Sequence, residues 1–350
     1  MASSLHAHFQ EALQVQDGPS TASGTMSPHT SGAIPFSRPA SPAAVMRDQL
    51  AFVGLGAIGR WCALNLARSL DENGKVSNEV MEGEPFASQA DPLILSWQPP
   101  LMVWNRGDEG LEIFKAHADK ADVPYVVAET LEQIAQRADI VLASLGSDKA
   151  SEEVFGELFK AWEKAEREKS TIFVDMSTVA PATADKLERS CSAVPNRHFL
   201  SAPVFGPPPL AKSANLVMAI AGQYHAKKRV SHAICPAVVR KVMDLGSDVE
   251  RAAKFKLTGN AMVLGCIELL AETTTLADQS GVGAEKMLDD NFKSDEGFSL
   301  QGGIKDASHI RKLGEDCSVP LPIIDIAHQH LITARAAGGG HLDWSSLVAG

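Results

Sequence analysis

Apolar and polar positions along this chain alternate between two periods. Leu50-Ala-Phe-Val53 is a short apolar run of the kind a strand buried on both faces produces. It breaks into Gly54-Leu55-Gly56-Ala57-Ile58-Gly59 and resumes as the amphipathic stretch Arg60-Trp-Cys-Ala-Leu-Asn-Leu-Ala-Arg68, which predicts a helix. The next clear strand is Leu101-Met-Val-Trp, running into Asn105-Arg106. A βαβ unit normally takes about 30 residues, so the separation of Phe52 from Asn105 leaves roughly 20 to 25 inserted, read as a surface loop within 71–100. Thr130-Leu-Glu-Gln133 is a capping box that opens a short helix before the strand Ile140–Ser144. Val154, Leu158 and Trp162 recur at four-residue steps beside Phe155 and Phe159, giving a helix that feeds the strand Thr171–Asp175. Short strands follow around Phe199, Val217–Ile220 and Val242–Leu245. The alternation predicts an α/β protein with a Rossmann-like, doubly wound parallel sheet.

The pattern changes after about residue 247. From Glu250 to Ser280 there is no proline, and Met262, Val263, Leu264, Ile267, Leu269 and Leu270 spread apolar character around most of a helix. Such a helix is expected to be buried, with Gly281 as its stop. Further helical patterns run to about Ala337. The expected organisation is a disordered tail over 1–47, a nucleotide-binding domain over 48–248 and an all-α C-terminal domain over 249–350. The tail reading rests on Ser, Pro, Ala, Gly and Thr with few apolar residues, a composition that cannot offset its ordering entropy.

Composition narrows the function classes. The chain has 350 residues, 45% hydrophobic and 21% charged, which suits a globular protein with a sizeable core. A net charge of −11 disfavours nonspecific binding to nucleic acid or anionic membrane. Five widely spaced cysteines without a C-x-x-C pair fit neither a disulfide framework nor a zinc ribbon, so a reducing, cytoplasmic setting is expected. No metal site is expected; His328 and His330, two apart on a helix, point to different sides.

Three constellations carry candidate chemistry. A G-x-G-x-x-G run between strand and helix is a dinucleotide cradle: Gly54 turns the chain, Gly56 admits the pyrophosphate and Gly59 lets the helix pack closely. Free amides at the helix start and the helix dipole favour the phosphates. Past the second strand, Asn105-Arg106 stands where an acidic residue would mark NAD; an arginine accommodates a 2′-phosphate and predicts NADP(H). The alternative is that Arg106 begins a solvated turn. On the long helix, Lys256 and Asn260 share a face. A partly desolvated lysine can pass a proton near neutrality, and an asparagine can hold a substrate hydroxyl or carboxylate beside it. The alternative is a lysine reaching the domain rim and an asparagine capping a backbone group.

Gly54-Leu-Gly56-Ala-Ile-Gly59, Asp175-Met-Ser177-Thr178-Val-Ala-Pro181, Ala202-Pro-Val204, Lys256-Leu-Thr-Gly-Asn260 and Lys305-Asp306 stand in an order that resembles the β-hydroxyacid dehydrogenases. That family includes 3-hydroxyisobutyrate dehydrogenase and, more distantly, 6-phosphogluconate dehydrogenase. The resemblance spans about residues 50 to 345. It implies a cleft between a Rossmann-like domain and a helical one, a small-molecule substrate and a homodimer. It also implies Lys256 as general acid/base, Asn260 as its substrate-binding partner, and Leu145, Ser177 and Thr178 as cofactor contacts. Lys305 would be a second cleft lysine at the cofactor, with Asp306 on the substrate side; spacing alone would make this pair a solvated helix start.

Two departures bear on activity. The family's substrate loop usually runs Asp-Ala-Pro-Val-Ser-Gly-Gly, whereas here Val204-Phe205-Gly206 leads into Pro207-Pro-Pro. Phe205 replaces a hydroxyl donor and Pro207 has no N–H, so a bulkier or more apolar carbonyl, or an imine, fits better than a small hydroxy acid. Near 291–298 the chain is shorter than its relatives. The readings that follow are an NADP(H)-dependent oxidoreductase, an imine reductase, or a catalytically impaired NADP-binding or scaffold protein.

Overall fold

The strand-helix alternation assembles into a mostly parallel sheet, as a computed structural model shows for residues 33–37, 48–82, 97–165, 167–279, 281 and 298–349. The elements are β1 (Asp48–Val53), α1 (Gly59–Glu82), β2 (Trp97–Trp104), α2 (Asp108–Lys120), β3 (Tyr125–Val127), α3 (Leu131–Arg137), β4 (Ile140–Ala143), α4 (Asp148–Lys164) and β5 (Thr171–Asp175). There follow α5 (Pro181–Ser192), β6 (Arg197–Ser201), β7 (Val204–Phe205), α6 (Pro208–Lys212), β8 (Leu216–Gly222), α7 (Tyr224–Ile234) and β9 (Val239–Asp244). The helical part contains α8 (Val249–Gln279), α9 (Leu300–Asp316) and α10 (Pro322–Ala336).

Strands lie in the order β3-β2-β1-β4-β5-β6-β8-β7, with β9 beside β8. The first six pair in parallel, while β8 runs antiparallel to β6 and β7. The chain order reverses between β1 and β4, the switch point where a crevice opens at the carboxyl ends of the strands. Both faces of β1 are covered, which is why its sequence is a continuous apolar run. Leu50 and Phe52 enter one core with Leu64, Leu66 and Phe114 of α1 and α2; Ala51 and Val53 enter another with Phe155, Leu158 and Leu187 of α4 and α5. A third core joins Leu257 and Leu264 of α8 to Ile304, Ile310, Ile324 and Leu331 of α9 and α10.

Charges close the other end of the sheet. Asp139, before β4, meets Arg167 and Lys169 at 2.6 Å each, and accepts from the Gln49 amide at 2.9 Å. Asp48 is paired with Lys169 and Arg229.

Three local expectations need correction. Residues 33–37, placed in the disordered tail, are docked: Phe36 is buried edge-on to Tyr224, and the Ala33 carbonyl accepts from the Val242 amide. Aromatic burial and one backbone bond outweigh the polar composition around them. The stretch 71–100 is not all loop, because α1 continues to Glu82 and β2 begins at Trp97; 83–96 lie outside the described residues. The long helix has the expected extent, and Gly281 follows it at φ +78°. It is not buried all round, however: Leu264 is fully buried, whereas Met262 is 66% exposed. The sheet and the other helices cover one side of it. The shortened stretch near 291–298 falls largely outside the described residues.

Candidate active site

The glycine turn is built by contact with the neighbouring strand ends. Gly54 has φ +88°, and a Cβ there would collide with the Ser144 carbonyl oxygen; a Cβ on Gly59 would collide with the Gly54 carbonyl oxygen. Only residues without a side chain let β1, β4 and α1 come this close. Gly56 differs, because a Cβ there would meet nothing within 4 Å. Gly56 and Ala57 are exposed and Ile58 is half-buried, so the turn offers an open backbone surface at the start of α1. An open cradle on a helix start suits a dinucleotide pyrophosphate.

Asn105 and Arg106 follow β2 as expected but do different work. The Leu55 amide donates to Asn105 Oδ1 at 2.8 Å, and Asn105 Nδ2 donates to the Gly107 carbonyl at 2.7 Å. Asn105 therefore braces the glycine turn. Arg106 is 59% exposed and forms a 3.0 Å ion pair with Glu153 of α4. It is an exposed cation at the end of β2, paired with a carboxylate.

The loops after β4 and β5 are tied together, since the Leu145 amide donates to Ser177 Oγ at 2.8 Å and the Ser177 amide donates to Asp175 Oδ1 at 2.9 Å. Burial pushes the Asp175 carboxyl up, against hydrogen bonds from Ser177. Lys305 of α9 donates to the Thr178 carbonyl oxygen at 2.7 Å and lies 3.2 Å from Asp306. These contacts connect the glycine turn, through Ser144 and Ser177, to the helical part of the molecule.

Lys256 and Asn260 meet neither solvent nor the domain rim: both are buried on α8. Asn260 Nδ2 donates to Asp306 Oδ2 at 2.5 Å, so a side-chain carboxylate holds the asparagine amide. Burial lowers the Lys256 pKa from its ordinary 10.5 to about 8; Asp306 opposes this shift and Lys305 adds to it. The Lys256 ammonium stands 4.4 Å from the centre of the Phe205 ring. Lys254, nearby in sequence, is spent elsewhere on Glu250. Val204 and Phe205 form β7, and Gly206 turns the chain into the three prolines.

The contact chain thus brings Gly54, Gly59, Leu55, Asn105, Leu145, Ser177, Thr178, Lys305, Asp306, Asn260, Lys256 and Phe205 into one connected assembly. Sequence reasoning assigned no role to Asp148, Asp175, Gly259 or His309. His309 lies one helical turn beyond Lys305 and forms a 2.7 Å pair with Asp148. Burial alone would push the Asp148 carboxyl up, but His309, the Ala180 amide and the Thr183 hydroxyl hold it well below the usual range. The four-residue step from Lys305 to His309 was a legible signal; its partner in α4 was not. His328 and His330 do diverge, towards Ser308 and Glu268 respectively.

Residues 83–242 match the NAD binding domain of 6-phosphogluconate dehydrogenase. The chain is 26% identical over 287 residues to the uncharacterized oxidoreductase YfjR of Bacillus subtilis, covering 76% of this chain and 95% of that protein. It is 26% identical over 269 residues to the NADH-dependent oxidoreductase ucdB of Aspergillus ustus, covering 71% and 88%. Among solved structures, 3-hydroxyisobutyrate dehydrogenase of Mycobacterium tuberculosis superposes with a TM-score of 0.65 at 19% identity, covering 87% of this chain and 99% of that one. A parallel sheet with a glycine cradle, followed by a helical region, defines an oxidoreductase with an NAD(P)-binding domain. These likenesses support the β-hydroxyacid dehydrogenase family for this chain.

Proposed function

We propose that this protein is an NADP(H)-dependent dehydrogenase or reductase that moves a hydride between the nicotinamide and a small hydroxy acid or carbonyl compound. The observation that carries this reading is Lys256, a buried lysine whose pKa is lowered to about 8, held beside Asn260 and Asp306. A buried ammonium is costly, whereas a proton donor is most effective when its pKa lies near the working pH. The cofactor, when bound, supplies or accepts the hydride. Lys256 gives its proton to the carbonyl oxygen in reduction and takes it back in oxidation. Asn260, oriented by Asp306, presents its remaining amide atoms to the substrate oxygen.

The backbone of Leu55 to Ile58 would hold the pyrophosphate, and Leu145, Ser177, Thr178 and Lys305 the nicotinamide side. Arg106 supports NADP(H), since its flexible guanidinium can exchange Glu153 for a 2′-phosphate. All five cysteines are free, which supports a reducing compartment such as the cytoplasm. No helix among the described residues is long and apolar enough to cross a membrane.

The test is NADPH and NADH consumption by the purified protein across a panel of aldehydes, keto acids and imines, repeated with Lys256→Ala. The expected result is turnover with NADPH and a loss of about 10²- to 10⁴-fold in the variant. Full turnover by Lys256→Ala would overturn the assignment of the proton donor. NADPH binding with no consumption would leave a cofactor-binding protein without this activity.

A further inference from the structure

Phe205 lies directly against the lysine read above as the proton donor. Its ring faces the Lys256 ammonium at 4.4 Å and meets the Phe255 ring edge-on at 5.6 Å. A Cβ on Gly259 would lie 2.5 Å from Phe205 Cε1 and 3.1 Å from Cζ. The ring therefore fills the space that a glycine leaves on α8, between Lys256 and Asn260 in sequence. The ammonium has an aromatic face on one side, a favourable partner that offers no hydrogen-bond donor.

The loop beyond Gly206 also lacks donors. Anions are held by concavities of successive backbone N–H groups. Pro207, Pro208 and Pro209 follow Gly206 directly, and none has an N–H. The polar groups beside the ring are committed as well. Lys305 is engaged by Thr178 and Asp306, and the Asn260 amide nitrogen by Asp306. Asp306 is fully buried beside them and already paired with Lys305, so an incoming carboxylate would sit near a carboxylate and meet Lys256 only past the Phe205 ring.

We propose that Phe205 is the specificity-determining residue of this cleft, seated by Gly259, and that the substrate is a neutral aldehyde or ketone with an apolar substituent packed on its ring. The carbonyl carbon takes the hydride of the reduced cofactor and the carbonyl oxygen takes the Lys256 proton, giving the alcohol. The inference rests on the reading of Lys256 as the proton donor, but its specificity claim can be read separately by binding.

The probes are succinic semialdehyde and its methyl ester, which share the aldehyde and differ in the remote charge. With NADPH, the wild-type protein should favour the ester at least about tenfold in kcat/KM. Phe205→Ser should narrow that preference about tenfold, through the KM of the acid. Gly259→Ala should act in the same direction by displacing the ring, and Phe205→Leu should retain the ester preference. Calorimetry of the same pair on the NADP⁺-loaded protein reads the preference without chemistry, and thermal unfolding checks that each variant is folded. Tighter binding of the ester without turnover would uphold the specificity and refute the proposed reaction. A wild-type preference for the acid, an ester preference untouched by Phe205→Ser, or binding of neither probe would overturn the inference.

Discussion

Replacing Lys256 by Met should make the protein more stable while removing its chemistry. Met is close in length to the lysine stem and carries no charge. The Lys256 pKa falls from 10.5 unfolded to about 8 folded, chiefly through burial. At 1.36 kcal/mol per unit, this corresponds to a cost of about 3 kcal/mol for keeping the ammonium in the folded protein. The folded pKa is the lower one, so the unfolded chain binds the proton more tightly. The cost is therefore complete below about pH 8, shrinks as the pH rises, and vanishes above 10.5. Removing the ammonium also takes a nearby cation from Asp306, which keeps Lys305 and Asn260. That attraction is already contained in the shift, so the net gain near neutral pH is about 3 kcal/mol, or several degrees in Tm. The assay is thermal unfolding of both proteins at about pH 6.5 and about pH 10, where linkage predicts a much larger gain at the lower value. A variant no more stable than wild type at the lower pH would refute the reasoning, as would a gain of equal size at both. In wild type, the same ionisation should make kcat/KM for reduction fall as pH rises through about 8.

Three other outcomes follow from separate parts of the molecule. Arg106→Ala should weaken NADPH binding about tenfold and leave NADH binding nearly unchanged, as read by fluorescence titration; equal losses for both would remove Arg106 from phosphate recognition. Asn105→Ala takes the acceptor from the buried Leu55 amide and should cost about 1–3 kcal/mol, seen as weaker binding of both cofactors and a lower Tm. Asp139→Ala leaves Arg167 and the Gln49 amide without their carboxylate and should destabilise by about 3–5 kcal/mol in urea unfolding, with cofactor affinity unaltered in the folded protein.

Much of the site was legible because its signals are local. The run from Leu50 to Gly59 contains strand, turn and helix start within ten residues, and steric contact at Gly54 and Gly59 leaves few alternatives. Thr130 does accept from the Gln133 amide, as its capping box implied, because that bond spans a single turn. Helix periodicity likewise put Lys256 and Asn260 on one face. Periodicity could not say which side of α8 is covered, and apolar residues nearly all round misled on that point. The docking of Phe36 was hidden in a polar composition for the same reason: its pocket is made by α7, far along the chain.

The amino-acid order by itself determined where the chain extends and coils, where the backbone turns through glycines before a helix, and that Lys256 and Asn260 share a helix face. Tertiary structure alone decided that Asp306, 46 residues from Asn260, would hold its amide, and that Phe205 would lie over Lys256 in the space left by Gly259. Backbone geometry follows from near neighbours and repeats at fixed steps, so it is written locally. Partners joined by folding depend on how whole elements pack, and no short stretch of sequence contains that information.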